Sequence, residues 1–77
     1  MNKKRRQKLE TIVEKINAIC EELQDVHSEE EDCLSNMPEN LQSSDRYMQS
    51  EEACEQMAEC EDILNDAVYI LEEIITG

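Results

Sequence analysis

Apolar residues recur every seven positions in this chain, in two stretches separated by a single break. In the first half Leu9, Ile16, Leu23 and Met37 share one heptad position, interrupted by Glu30. Ile12, Ile19, Val26 and Cys33 hold the position three later, and Val13, Cys20, His27 and Leu34 the one after that. Three adjacent columns of this length describe an amphipathic helix with a broad apolar face. The pattern stops at Asn36-Met37-Pro38, because proline lacks the amide a helix interior needs and disfavours α geometry at Met37. It resumes with Tyr47, Cys54, Val68 and Ile75 in one column, Glu61 intruding, and Met57, Leu64 and Leu71 three positions on. Ala53, Cys60, Ala67 and Ile74 precede the first of these columns by one position, and Ile63 and Ile70 widen the face.

These columns predict an all-α chain with one domain over 1–77. Helix 1 spans about residues 3–35, the turn 36–44, and helix 2 about 45–75. Ser43 or Ser44 is the natural N-cap of helix 2, with Asp45 in its first turn. The segment after Pro38 suits a short helical turn, with Leu41 closing the end of the core. Two helices of roughly 45–50 Å joined by a short connection fold as an antiparallel, coiled-coil-like hairpin. Symmetric folding about the turn pairs positions whose numbers add to about 80.

Charge sharpens the picture. Twenty acids against seven bases give a net charge of −13. Residues 1–15 hold six bases against two acids, a net of +4, which leaves −17 for the rest. So acidic a surface repels nucleic acid and anionic membrane over most of its area. Lys3 to Lys8 sit at a helix N-terminus and Glu72 and Glu73 at a C-terminus, each unfavourable for its own helix dipole. An antiparallel hairpin is expected to lay these two clusters side by side. One Gly and one Pro cannot punctuate a β-sandwich or barrel. No apolar run is long enough to span a membrane, and the basic start lacks the apolar stretch of a secretory signal, so a cytoplasmic setting is expected.

A lone hairpin cannot cover faces three columns wide on both helices. Self-association into a dimeric four-helix bundle is the preferred remedy, ahead of docking on another protein. Leu9, Ile12, Ile16, Ile19, Leu23, Met57, Leu64, Val68, Leu71 and Ile75 are the candidate oligomer core.

The chain offers few chemical constellations. Cys20, Cys33, Cys54 and Cys60 lack the close pairs of a structural zinc site, and all lie on the apolar stripes, where reduced cysteines pack as small apolar groups. Pairing about 80 places Cys20 opposite Cys60, a possible disulfide disfavoured in a reducing compartment, and His27 near Cys54. His27, beside Glu29-Glu30-Glu31-Asp32, reads as a boundary histidine bonded to a neighbouring acid. Only Glu30 and Glu61 lie within the stripes, several turns apart in that pairing, and no Glu-x-x-His motif marks a di-metal bundle. No catalytic residue, metal or cofactor is therefore expected. Met37, Met48 and Met57 suit adaptable packing. Glu29, Glu30, Glu31, Asp32, Glu51 and Glu52 are candidates for gripping a basic partner, and Lys3, Lys4, Arg5 and Arg6 for touching an anion.

Asn36-Met-Pro-Glu-Asn-Leu-Gln-Ser-Ser44, followed by Arg46-Tyr47 and an acidic heptad helix, resembles a recurrent pattern. It is similar to small acidic two-helix proteins of phages and prophages of Gram-positive bacteria, which also begin with a basic tract and an amphipathic helix. The likeness covers nearly the whole chain, and only the turn is distinctive. It implies a hairpin, an intracellular setting and a mobile-element origin, and it transfers no catalytic residue. The four cysteines are more than that pattern usually carries. The leading expectation is a non-enzymatic protein–protein interaction module that acts through an acidic helical surface on a basic protein. The alternatives are a nucleic-acid mimic that inhibits a CRISPR or restriction-type host defence protein, a sponge for phosphate or nucleotide ligands at the basic N-terminus, and a structural or assembly factor.

Overall fold

The computed structural model describes all residues, Met1–Gly77. Helix α1 runs over Lys3–Ser35, a 3-10 turn over Glu39–Leu41, and helix α2 over Asp45–Thr76, with no strands. Each boundary has a local cause. Asn2 caps α1 by accepting the Arg5 amide proton on Oδ1 at 2.9 Å. Past Asn36, Pro38 turns the chain out of the helix. The Leu41 amide then donates to the Pro38 carbonyl at 2.9 Å, and the Ser44 amide to the Leu41 carbonyl at 3.1 Å. Ser44, rather than Ser43, is the cap of α2. Its hydroxyl accepts from the Tyr47 amide at 3.2 Å and donates to the Leu41 carbonyl at 2.7 Å, so one side chain ends the turn and starts the helix.

The two helices pack on each other as a hairpin measuring 59 × 15 × 13 Å. Along α1 the shielded positions are Arg6, Leu9, Val13, Ile16, Cys20, Leu23, His27, Glu30, Leu34 and Met37, alternating steps of three and four. Along α2 they include Tyr47, Ser50, Cys54, Met57, Glu61, Leu64, Val68, Leu71 and Ile75, in the same alternation. That is the narrow two-column seam of a coiled coil. The third α1 column is left outside it: Ile12, Ile19 and Val26 are exposed, as is Cys33. Only Val13, Cys20, Cys54 and Val68 are buried.

The offset between the helices differs from a symmetric hairpin. His27 meets Glu61, and Val13 shares a recess with Ile75, so paired positions add to about 88 and not 80. Helix α2 is thereby displaced by about eight residues, roughly 12 Å, along α1. This is why the molecule exceeds the ~49 Å of one 33-residue helix. The stagger is absorbed at the turn, where Met37 and Ser50 line one cleft. Leu41 does not close the core: it is exposed, as is Met48, and Met37 takes the sheltered place. At the other end residues 3–8 project beyond α2, whose Thr76 reaches the level of Glu10. Ser44→Ala is expected to destabilise the hairpin by about 1 kcal/mol, and Ser43→Ala to leave it nearly unchanged, in denaturant unfolding at fixed protein concentration.

Candidate interaction surfaces

The stagger rearranges the side chains read from the sequence. Cys20 does not face Cys60: Cys20 is buried in the seam, Cys60 is exposed, and all four cysteines are free thiols. His27 does not face Cys54 either. Its Nδ1 lies 3.2 Å from Glu61 Oε1 across the seam, and its Nε2 lies 2.6 Å from Glu31 Oε1 one turn along its own helix. Glu30, expected several turns from Glu61, comes within about one turn of its level. A neutral imidazole carries one N–H and can satisfy one of the two carboxylates, whereas the imidazolium satisfies both. The carboxylates engage opposite edges of the ring and do not converge on one point, and no metal-binding group of three His, Cys, Asp or Glu side chains forms.

The polar pair was hidden in the sequence because its members looked like separate defects. His27 and Glu61 each interrupt an apolar column, one per helix. Asking which offset lets the two interruptions meet would have found the contact and the stagger together. Burial pushes the Cys54 thiol above its ordinary value of 9.0, and the nearby Glu31, Glu30 and Glu51 carboxylates add to the shift. Cys54 is therefore protonated at neutral pH and is a packing residue, not a thiolate nucleophile.

The basic N-terminus does not meet Glu72 and Glu73. With α1 projecting past α2, Glu72 shares its recess with Glu10 and Glu14, and the only contacts between a basic side chain and a carboxylate are those of His27. Lys3, Lys4 and Arg5 stand exposed, and the half-buried Arg6 has a shielded Nε without a hydrogen-bond partner. The first turn of α1 contains no acid, so its cations face the helix dipole uncompensated within the chain.

What the seam does arrange is two unlike sides. In an antiparallel pair the columns flanking the seam on one side of α1 adjoin the equivalent columns of α2. On one side Glu10, Glu14, Glu21 and Glu31 adjoin Glu51, Glu55, Asp62 and Glu72, all exposed, with Tyr69 standing 64 % exposed among them. On the other side the exposed Ile12, Ile19 and Val26 adjoin Ala53, Ala67 and Ile74, and Ile63 and Ile70 extend the strip outward. Of the acids singled out from the sequence, Glu29, Glu31, Asp32, Glu51 and Glu52 are exposed and Glu30 is half-buried in the seam. Of the ten residues assigned to an oligomer core, eight face the other helix of the same chain, and only Ile12 and Ile19 point outward.

The fold is thus a two-helix coiled-coil hairpin with one acidic and one apolar side. No helix is long and apolar enough to cross a membrane. No family model, curated protein or solved structure matches the chain.

The His27–Glu61 contact has a measurable signature. His27→Leu leaves the half-buried Glu61 carboxylate without its donor and is expected to cost about 1–3 kcal/mol. Glu61→Leu costs less, since His27 keeps Glu31. The double variant recovers most of the loss, so the two effects are strongly non-additive in a double-mutant cycle followed by denaturant unfolding.

Proposed function

We propose that the chain is a non-enzymatic protein–protein interaction module, self-associated through its helices, that grips a basic protein on its acidic side. The observation that carries this reading is the row of exposed carboxylates from both helices along one side of the hairpin, with the exposed Tyr69 among them. Carboxylates attract and orient lysine and arginine side chains, and a tyrosine face adds apolar area and a cation–π surface for the same groups. A basic helix or loop laid along this side finds charge and an aromatic anchor together. The phage or prophage setting implied by the turn motif belongs to the same proposal.

A duplex mimic is the weaker reading. Exposed acids along α2 average one per about 5 Å of helix axis. One strand of duplex DNA presents one charge per about 3.4 Å, and the two strands together one per about 1.7 Å. The acidic side is dense enough to select a basic partner, yet sparse as a copy of a phosphate backbone.

The test is affinity capture from lysate of the host cell, comparing the native chain with Tyr69→Ala and with the triple variant Glu55→Gln, Asp62→Asn, Glu72→Gln. The native chain should retain one or more basic proteins at about 50 mM salt and release most of them by about 200 mM. Each variant should retain at least about tenfold less of the same proteins. Equal retention by native chain and variants would contradict the reading.

A further inference from the structure

The exposed apolar strip and the unneutralised basic projection have a common solution. We propose that a second copy of this chain docks on the apolar side about a two-fold axis crossing the helices at Ile19, with α1 antiparallel to α1 and α2 antiparallel to α2. This rests on the self-association in the reading above and specifies its face, orientation and offset.

Two independent patterns define the axis. Beside the exposed column of α1 lies an outer column that reads Lys8, Lys15, Glu22, Glu29, bases first and acids second. Turning a copy end over end about Ile19 sets Lys15 opposite Glu22 and Lys8 opposite Glu29, each pair formed twice. In the apolar column Ile19 meets its own copy and Ile12 meets Val26. The second pattern is one of size. The apolar stretch of α2 runs from Ile63 to Ile74 and is centred between Ala67 and Ile70. With paired positions adding to about 88, that centre lies level with Ile19. One axis therefore serves both helices: it sets Ala67 against Ile70, small against large, and Ile63 against Ile74. The other face-to-face two-fold, parallel to the helices, stacks α1 on the α2 of the second copy. It sets the charged outer column of α1 on the outer column of α2, so that Glu22 and Glu29 lie against Gln56, Ile63 and Ile70, which offer no cation.

The chosen axis also supplies what the hairpin lacks. The projecting Lys3–Lys8 tract of each copy runs beside the Glu29–Asp32 run of the other. Cations at a helix N-terminus and anions near a helix C-terminus, both unfavourable in the single chain, then offset each other across the interface.

Analytical ultracentrifugation of the native chain and its variants is the test. The native chain should be a dimer. Ile19→Glu, at a position already 52 % exposed in the single hairpin, should keep its helix content by circular dichroism. It should raise the dimer dissociation constant by on the order of 100-fold or more, because two carboxylates meet on the axis. Lys8→Glu/Lys15→Glu and Glu22→Lys/Glu29→Lys should each weaken self-association by about tenfold, and a mixture of the two should form the heterodimer in preference to either homodimer. A native dimer that Ile19→Glu and the charge variants leave intact would overturn the axis while sparing self-association. A native chain that stays monomeric to about 1 mM would overturn both, and would leave capture by the acidic side as a separate question.

Discussion

Everything distinctive about this hairpin follows from where two polar residues meet. A seam of leucines, isoleucines, valines and cysteines repeated every seven residues is nearly degenerate, since a slip by one heptad returns apolar groups to apolar groups. His27 and Glu61 break that degeneracy. Only an offset near 88 brings the ring nitrogen to the carboxylate. Pairing near 80 would set Glu61 against the α1 turn that carries Ile19 and leave a carboxylate in the seam without a donor. A histidine–carboxylate contact adds little to stability compared with a leucine pair, and its value here is in selecting one alignment.

The offset then decides which charges and which apolar groups are left over. It carries Lys3 to Lys8 past the end of α2, away from Glu72 and Glu73. The packing of a two-column seam leaves Ile12, Ile19 and Val26 outside it. Eight exposed carboxylates line one side of the hairpin with Tyr69, the exposed isoleucines line the other, and the remaining acids lie on the turn, on the backs of the helices and beside the apolar strip. On the reading proposed above, one side takes a charged partner and the other a copy of the chain, with Glu31 where the two overlap.

The helices themselves were legible in the sequence to within a residue or so, because proline, the serine cap and heptad columns act locally. Helix 1 at 3–35 and the turn at 36–44 needed no tertiary information. The offset did need it. Symmetric folding about the turn assumes that the connection reverses the chain at once, whereas Met37 continues along the seam and the 3-10 turn carries the reversal further out. Under that assumption Cys20 would meet Cys60 and the basic tract would meet Glu72, and neither contact forms. Nor is the width of the apolar face the width of the core. Three columns are apolar in α1, but one neighbouring helix shelters only two of them, and the third is the surface that calls for an explanation.

The most direct test of the offset is the set of interhelical methyl NOEs on the native 77-residue chain, isotope-filtered to separate contacts within a chain from those between copies. An offset of 88 predicts intrachain contacts between Val13 and Ile75 and between Ile16 and Leu71. Intrachain contacts between Ile16 and Leu64 and between Leu23 and Met57, without those two, would show symmetric pairing and contradict it.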